Sequence, residues 1–262
     1  MAERLKGRVI LVTGSTTGVG EAVARRCVAE GAVVMVHGLE EELAQAVCAD
    51  LGQAAQYRIG DLADPDFCVR LVQETAATWG GLDGVVNNAA LTTRATLEET
   101  DVAFFDRMIA VNLRAPMLII RAALPALRAR GGGTVVNIGS GNALGGQPNL
   151  LAYSMAKGGL ATMTRNLSGA LATERIRVNQ INPGWIATQN EIALKQREGL
   201  PPGWHLALPP ELAPWGRLTS PEELAGHVLF WLSDDSAPAS GAVYECEQYS
   251  IIGRNFEKRK PL

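Results

Sequence analysis

Short apolar runs alternate with segments of helical periodicity along almost the whole chain, and this alternation constrains the fold more than any other feature. The runs are RVILVT (8–13), AVVMVH (32–37), AAQYRIG (54–60), GVVNN (84–88), GTVVNIGS (133–140), RVNQIN (177–182) and GAVYECE (241–247). They are apolar on both faces, as strands of a parallel sheet covered by helices on both sides must be. Between the first two, Val19, Val23 and Cys27 step by four along one helix face, and Gly31 suits the helix end. Ser220, Pro221 and Glu223 open a helix over 221–232 with an N-cap, a proline at the first position and an acid in the first turn. Repeated βαβ units predict an α/β fold, a doubly wound parallel sheet of about seven strands with helices on both faces. At 262 residues, 47% hydrophobic, the chain can bury one large core, and a single domain over 1–262 is expected. The stretch that breaks the alternation, 189–216, is rich in proline, holds Trp204 and Trp215, and is expected to be a lid or substrate loop.

Charge and cysteine usage narrow the partners. The formal net charge is −3, and the tail EKRK (257–260) is too short to make a basic patch, so neither nucleic acid nor an anionic membrane surface is expected. No signal-peptide layout is read at the amino end, and no segment is expected to span a membrane. Cys27, Cys48, Cys68 and Cys246 are scattered, which suits small buried hydrophobes in a reducing compartment; a cytoplasmic location is expected. His37, His205 and His227 show no metal-ligand spacing, so no metal is expected in the chemistry.

The first strand runs into TGSTTGVG (13–20), where Gly14, Gly18 and Gly20 open a helix. Glycines in such a turn let the backbone bend sharply and approach a pyrophosphate held by helix-end amides. The spacing differs from G-x-G-x-x-G, and no Lys-Ser/Thr follows as in a Walker loop. A methyltransferase could use the same turn, so by itself it indicates a nucleotide-like ligand. The ribose-binding acid expected about 20 residues on is not clear. The second strand ends in His37, Gly38 and Leu39, and Glu40, Glu41 and Glu42 fit the first turn of the next helix.

In a doubly wound sheet, ligands sit over the carboxyl ends of the strands, where Ser140 ends the fifth apolar run. A helix is expected over 150–173, with Tyr153 and Lys157 at i and i+4 on one face. A phenol has a pKa near 10, and a neighbouring ammonium should lower it. Ser140 can then hold a substrate oxygen while Tyr153 exchanges its proton. Taken alone, a packing tyrosine and a solvated lysine would explain such a pair as well. Hydrolysis through Ser140 is disfavoured, because Ile138 breaks G-x-S-x-G and no histidine is placed as a base.

Taken together these residues resemble the short-chain dehydrogenase/reductase family. TGSTTGVG matches its T-G-x-x-x-G-x-G, Asp61 its adenine-contacting acid, NNAA (87–90) its N-N-A-G, and Asn112 its active-site asparagine. Ser140, the Y-x-x-x-K of Tyr153 and Lys157, RVNQINPG (177–184) and Thr188 complete the set, in family order from about residue 5 to 245. The resemblance implies a Rossmann-like fold and an NAD(P)-dependent oxidoreductase acting on a secondary alcohol or ketone. Gly14, Thr16, Thr17, Gly18, Val19 and Gly20 would line the pyrophosphate, and Asp61 and Leu62 would flank the adenine. Asn88 and Ala89 would support the ribose, while Asn87 and Asn179 look like scaffold. Lys157 would also bond the nicotinamide ribose. Pro183, Gly184, Ile186 and Thr188 would fix the nicotinamide, and Asn112 would hold a water that relays protons through Lys157 to Tyr153.

Three departures from the family pattern stand out. Ala90 replaces the last glycine of N-N-A-G. YECEQYS replaces the usual V-D-G-G, which suggests a different path for the tail and leaves open whether IIGRN (251–255) reaches the pocket. Neither Thr17 nor Leu39 is basic, as NADP users commonly require, and His37 stands where NAD users commonly carry an acid. The resemblance thus leans to NAD over NADP, with His37 and Gly38 at the ribose and His37 expected to bond a ribose hydroxyl.

Thr92, Arg94, Asn142, Leu144, Gln147, Trp185 and Trp204 are expected to line the substrate pocket. Amides and hydroxyls beside tryptophan suit a small-molecule substrate such as a sugar, polyol or small hydroxy acid. A 3-oxoacyl thioester reductase and a non-catalytic dinucleotide-sensing protein are the alternatives. The family further implies a homotetramer or homodimer built on the helices around Asn112 and Tyr153.

Overall fold

Four consecutive apolar residues, VILV, form β1 (Val9–Val12), buried at every position. The chain then continues through α1 (Gly18–Ala29), β2 (Val33–Gly38), α2 (Glu41–Leu51), β3 (Ala55–Ile59), α3 (Pro65–Trp79) and β4 (Gly84–Asn87). Its second half holds α4 (Val102–Ile109), α5 (Ala115–Ala129), β5 (Gly133–Ile138), α6 (Leu151–Ala170), β6 (Ile176–Pro183), α7 (Gln189–Arg197), α8 (Pro221–Leu232) and β7 (Val243–Cys246). The computed structural model describes residues 3–249. Its seven strands form one sheet in the order β3-β2-β1-β4-β5-β6-β7, and every pairing is parallel.

Strand periodicity explains why both faces had to be apolar. Ile10 and Val12 join Val34, Val36, Val86 and Val136 in one core with α1 and α8, including Val23, Cys27, Leu224 and Val228. Their neighbours Val9 and Leu11 join Met35, Val85, Val135 and Val178 in a second core with α3 and α5, including Leu71, Ile119 and Leu127. Successive side chains point to opposite faces, so an unbroken apolar strand feeds two cores at once. Strand order reverses between β1 and β4, and the loops leaving these strands part company there and open a crevice over their carboxyl ends.

The helix at 221–232 begins as its sequence predicts: Ser220 accepts the Glu223 N–H at 3.2 Å, and the Glu223 carboxylate accepts the Ser220 N–H at 2.8 Å. Within 189–216, α7 occupies the first part. One expectation is corrected: among the described residues one helical run, Val102–Ala129, has the length and apolarity to cross a membrane, with 28 residues and a mean hydropathy of 1.4. Its apolar face packs on the sheet through Leu118, Ile119, Ala123 and Leu127, so core burial accounts for that apolarity. All four cysteines are free thiols, Cys27 and Cys68 fully buried. The segments 251–255 and 257–260 lie outside the described residues.

Candidate active site

The glycine turn is held from within. Gly14 and Gly18 have φ of +61° and +58°, a region that side chains with a Cβ rarely adopt. Gly20 is needed for a different reason: a Cβ there would overlap the Gly14 carbonyl and the Asn88 amide. That amide donates to the carbonyls of Thr13 and Gly14, each at 2.9 Å, and so ties the turn to the end of β4. The Thr13 hydroxyl oxygen accepts the N–H groups of Asn88 at 3.0 Å and Ala89 at 3.1 Å. Asn88 thus shapes the turn from behind, beside the ribose role expected for it. Thr17 caps α1 without a side-chain hydrogen bond, which leaves the positive end of the helix to an incoming group. Thr16 is buried, whereas Thr17 and Val19 are half-buried on the turn. A Cβ on Gly18 would come within 3.3 Å of Thr188 Cγ2, so the turn and the segment after β6 converge. These residues fit a dinucleotide laid across the crevice.

His37 corrects an expectation. Its ring is 2% exposed, Nδ1 accepts the Gly14 N–H at 3.1 Å, and Nε2 meets the Gly60 carbonyl at 3.0 Å. Both ring nitrogens are therefore spent on the protein's own backbone, and none is left for a ribose hydroxyl. Burial pushes its pKa down to about 4, against the pull of Gly60 and Asp61. Gly38 lies flush against Thr16, where a Cβ would clash, and Leu39 stands 58% exposed at the edge of the crevice. Leu62 is buried. Asp61 pairs with Arg107 at 2.7 Å, a partner that sequence reading missed, and accepts the Ala63 N–H at 2.8 Å. Burial works against ionisation of this carboxyl, but Arg107 and Ala63 outweigh it and hold its pKa below the ordinary value.

Ser140, Tyr153 and Lys157 meet at the end of β5. The Ser140 N–H donates to Asn182 Oδ1 at 3.2 Å, a second anchor missed in the sequence, and Ser140 Oγ accepts the Asn142 N–H at 3.2 Å. The Ser140 O–H is thereby left to act toward the neighbouring Tyr153 phenol, whose pKa it draws down. Lys157 is 2% exposed, donates to the Ile138 carbonyl at 2.7 Å, and sits 5.6 Å from the centre of the Tyr153 ring. The expected lowering of the phenol pKa is corrected. In the chain alone burial raises it, and only the Ser140 hydrogen bond opposes that. Asn112 lies fully buried in a short π-helical segment, Ala110–Arg114. Its side chain accepts the Leu91 N–H at 3.1 Å and donates to the carbonyls of Leu91 and Met108, each at 3.1 Å.

Burial lowers the Lys157 pKa from 10.5 to about 8. The ammonium is present below that value and lost above it. If Lys157 serves Tyr153 as a cation, kcat/KM for carbonyl reduction falls as pH rises through about 8. A pH profile checks this, and a profile flat for a unit or more beyond that point would remove the cationic role.

The mouth of the crevice is built from distant segments. Ala95 bridges to Leu150, and the Ala95 N–H donates to Asn149 at 2.9 Å, so the loop carrying Thr92 and Arg94 lies beside the loop carrying Gln147. Thr92, Leu144 and Gln147 are exposed, and Asn142 is half-buried. Arg94 is not a free cation, because it pairs with Glu198 at 2.9 Å and Glu191 at 3.9 Å. Trp185 donates to Glu191 at 2.8 Å and lies 5.0 Å from Trp204, which is 6% exposed. The Trp204 indole N–H has no partner among the described residues. Glu191 and Glu198 escaped sequence reading, although Thr188 and Glu191 stand at the T-x-x-E spacing of a helix start. Thr188 Oγ1 indeed accepts the Glu191 N–H at 3.2 Å, leaving its O–H for another acceptor. Pro183 pairs with Cys246 in β7, Gly184 is packed against Glu247, and Ile186 bridges to Thr219. As expected of scaffold residues, Asn87 bonds Asn137 at 2.8 Å across β4 and β5, and Asn179 accepts the Ala242 N–H at 3.0 Å.

Comparison with known proteins finds relatives over almost the whole chain. Residues 14–247 match a family model described as enoyl-(acyl carrier protein) reductase. The chain is 35% identical over 247 residues to the cis-4-hydroxycyclohexanecarboxylate dehydrogenase of Sinomonas cyclohexanicum, covering 93% of this chain and 96% of that one. It is 32% identical over 248 residues to the cyclohexanol dehydrogenase of an Acinetobacter species, covering 93% and 95%. Among solved structures, a chain described as a short-chain alcohol dehydrogenase from Sinorhizobium meliloti 1021 superposes with a TM-score of 0.83 at 27% identity, covering 95% of this chain and 98% of that one.

Proposed function

The chain belongs to the short-chain dehydrogenase/reductase family and is an oxidoreductase of CH–OH groups that uses a nicotinamide dinucleotide; from that premise we propose that it takes NAD and a small secondary alcohol of sugar, polyol or hydroxy-acid type. The observation that carries the reading is the meeting of Ser140, Tyr153 and Lys157 at the end of β5, in the same crevice as the glycine turn.

When bound, the dinucleotide supplies the hydride acceptor or donor. In oxidation Ser140 holds the substrate oxygen and Tyr153 takes the hydroxyl proton; in reduction Tyr153 returns it. Lys157, anchored by the Ile138 carbonyl, keeps two N–H donors for a ribose and a water. Both amide N–H groups of Asn112 are spent on the carbonyls of Leu91 and Met108, so a relay water held there would donate to an oxygen of this residue.

The NAD preference rests on the absence of basic residues at Thr17, Gly38 and Leu39 and on the carboxylates of Glu40, Glu41 and Glu42 at the start of α2. A 2′-phosphate placed there meets like charge and no cation, so kcat/KM should favour NAD by on the order of tenfold or more. Leu39→Arg is expected to narrow that ratio, and parallel assays with both coenzymes measure it.

For the substrate, the Trp185 and Trp204 rings offer an apolar wall for C–H groups, and the paired Arg94 leaves no unbalanced cation at the rim. Two relatives are named for alcohols borne on a six-membered carbon ring, and a ring-borne hydroxyl is the form favoured here. A turnover screen of sugars, polyols, cyclic hydroxy acids and 3-oxoacyl thioesters, followed by nicotinamide absorbance, tests the reading. Activity confined to the thioesters would replace it. We also propose a homodimer or homotetramer, supported by Met117 on α5 and Met155 on α6, which are 39% and 51% exposed. A monomeric mass by light scattering would overturn that.

A further inference from the structure

We infer that His37 is a positioning residue for the dinucleotide: its ring clamps the Gly14 amide and the Gly60 carbonyl, and so fixes the pyrophosphate turn relative to the adenine wall. The inference rests on the family's dinucleotide and not on the substrate proposed above. The two contacts, at 3.1 and 3.0 Å, join the loop after β1 to the loop after β3 across the end of β2. Chemistry dictates a single arrangement of the ring. Gly14 offers an N–H, so Nδ1 must carry a lone pair, and Gly60 offers a carbonyl, so Nε2 must carry the proton. Only the neutral Nε2–H tautomer satisfies both.

The surroundings hold the ring in that orientation. The His37 N–H donates to Ser15 Oγ at 3.0 Å, the Ser15 N–H returns a bond to the His37 carbonyl at 2.8 Å, and Ser15 Oγ donates to Val12 at 2.6 Å. Phe67 packs 5.6 Å from the imidazole centre and lies so tightly against Gly60 that a Cβ there would overlap it. Gly60 opens onto Asp61 and Leu62, and Gly14 onto the turn that ends at Gly20. One side chain thereby sets the spacing between the two places where the adenosine half of the ligand must be held. An aspartate could accept from Gly14 but could not donate to Gly60, so the clamp depends on a ring with one nitrogen of each kind.

The test combines free-protein spectroscopy with cofactor binding. In the wild-type protein without ligand, ¹⁵N spectra should show the Nε2–H tautomer and a slowly exchanging Gly14 amide. The other tautomer, or a freely exchanging amide, would overturn the inference whether or not any dinucleotide binds. NADH affinity is then read by nicotinamide fluorescence in His37→Phe, which keeps a ring of similar size without the hydrogen bonds, and in His37→Asn, which keeps the acceptor toward Gly14. The dissociation constant should rise about tenfold in the first and recover in part in the second, with kcat at saturating cofactor falling far less than affinity. A folded His37→Phe with wild-type affinity, or a His37→Asn no better than it, would also overturn the inference. A wild-type protein that passes the spectroscopic test yet binds no NADH would instead count against the cofactor assignment.

Discussion

Tyr153→Phe is expected to lower kcat by on the order of 10² to 10⁴, the range a positioned acid or base contributes. Cofactor affinity should stay near wild type. The substitution removes one oxygen and leaves the ring, which is 9% exposed and packs with Met108, Leu150 and Ala152. The fold and the glycine turn, at the far side of the crevice, therefore have no reason to change. Stopped-flow turnover and NADH fluorescence titration on the same preparation separate the two effects. A variant that keeps most of its activity would remove Tyr153 from the chemistry. One that loses cofactor binding in parallel would show that the phenol is structural. Because burial holds the phenol pKa up, the neutral form prevails at physiological pH in the chain alone. The proton is thus in place for carbonyl reduction, and the charge of Lys157 steadies the phenolate that reduction leaves and oxidation starts from.

Gly20→Ala should be the most damaging single-methyl change in the cofactor half. The added Cβ meets a backbone carbonyl and the Asn88 amide, neither of which can swing aside as the end of a flexible side chain would. Moving Gly14 disturbs the His37 contact, and moving Asn88 breaks the bonds to Thr13 and Gly14. Overpacking of this kind costs about 1–3 kcal/mol. That corresponds to a melting temperature lower by roughly 2–12 °C for a chain of this size. NADH affinity should fall at least tenfold, on the order of 1.4 kcal/mol. By contrast Gly52→Ala, where a Cβ would meet nothing within 4 Å, should spare NADH affinity and cost only the strain of its positive φ. Melting curves and NADH titrations on the two variants give the comparison. A Gly20→Ala variant that melts like the wild type yet still loses affinity would show that the crowding is absorbed and that the glycine serves the ligand directly.

Much of the architecture was legible because strands buried on both faces have few other sequence explanations. VILV and VVMV state their burial by composition, and the crossover helices follow from Val19, Val23 and Cys27 or from the Ser220 cap. The pairing of Tyr153 with Lys157 was legible because four residues is a helical neighbourhood. The role of His37 was not. Whether a strand-end imidazole faces a ligand or its own backbone depends on where the neighbouring strands stop, and Gly14 and Gly60 are each 23 residues away. Arg94 and Glu198 are 104 residues apart, so their pairing is a product of topology. The phenol shift was misjudged because charge proximity can be read from spacing, whereas desolvation requires knowing what covers the group. α7 leaves little trace in the sequence because it buries none of its residues, and periodic burial is the signal by which helices are read.

The widened turn at Ala110–Arg114 bears on how this chain tolerates length changes. A π segment accommodates one more residue per turn than an α-helix, so it sets the angular phase between α4 and α5. The Asn112 amide donates to Met108, four residues back, where an ordinary helix would have its own backbone N–H. Excising one residue between 110 and 114 would let the helix close into regular winding, and that phase would jump by about 100°. Either Asn112 or the apolar stripe of Leu118, Ile119 and Leu127 would then turn away from its place. This point of the chain is thus a geometric counter in which a single deletion, harmless in most loops, exchanges catalytic register for helical regularity.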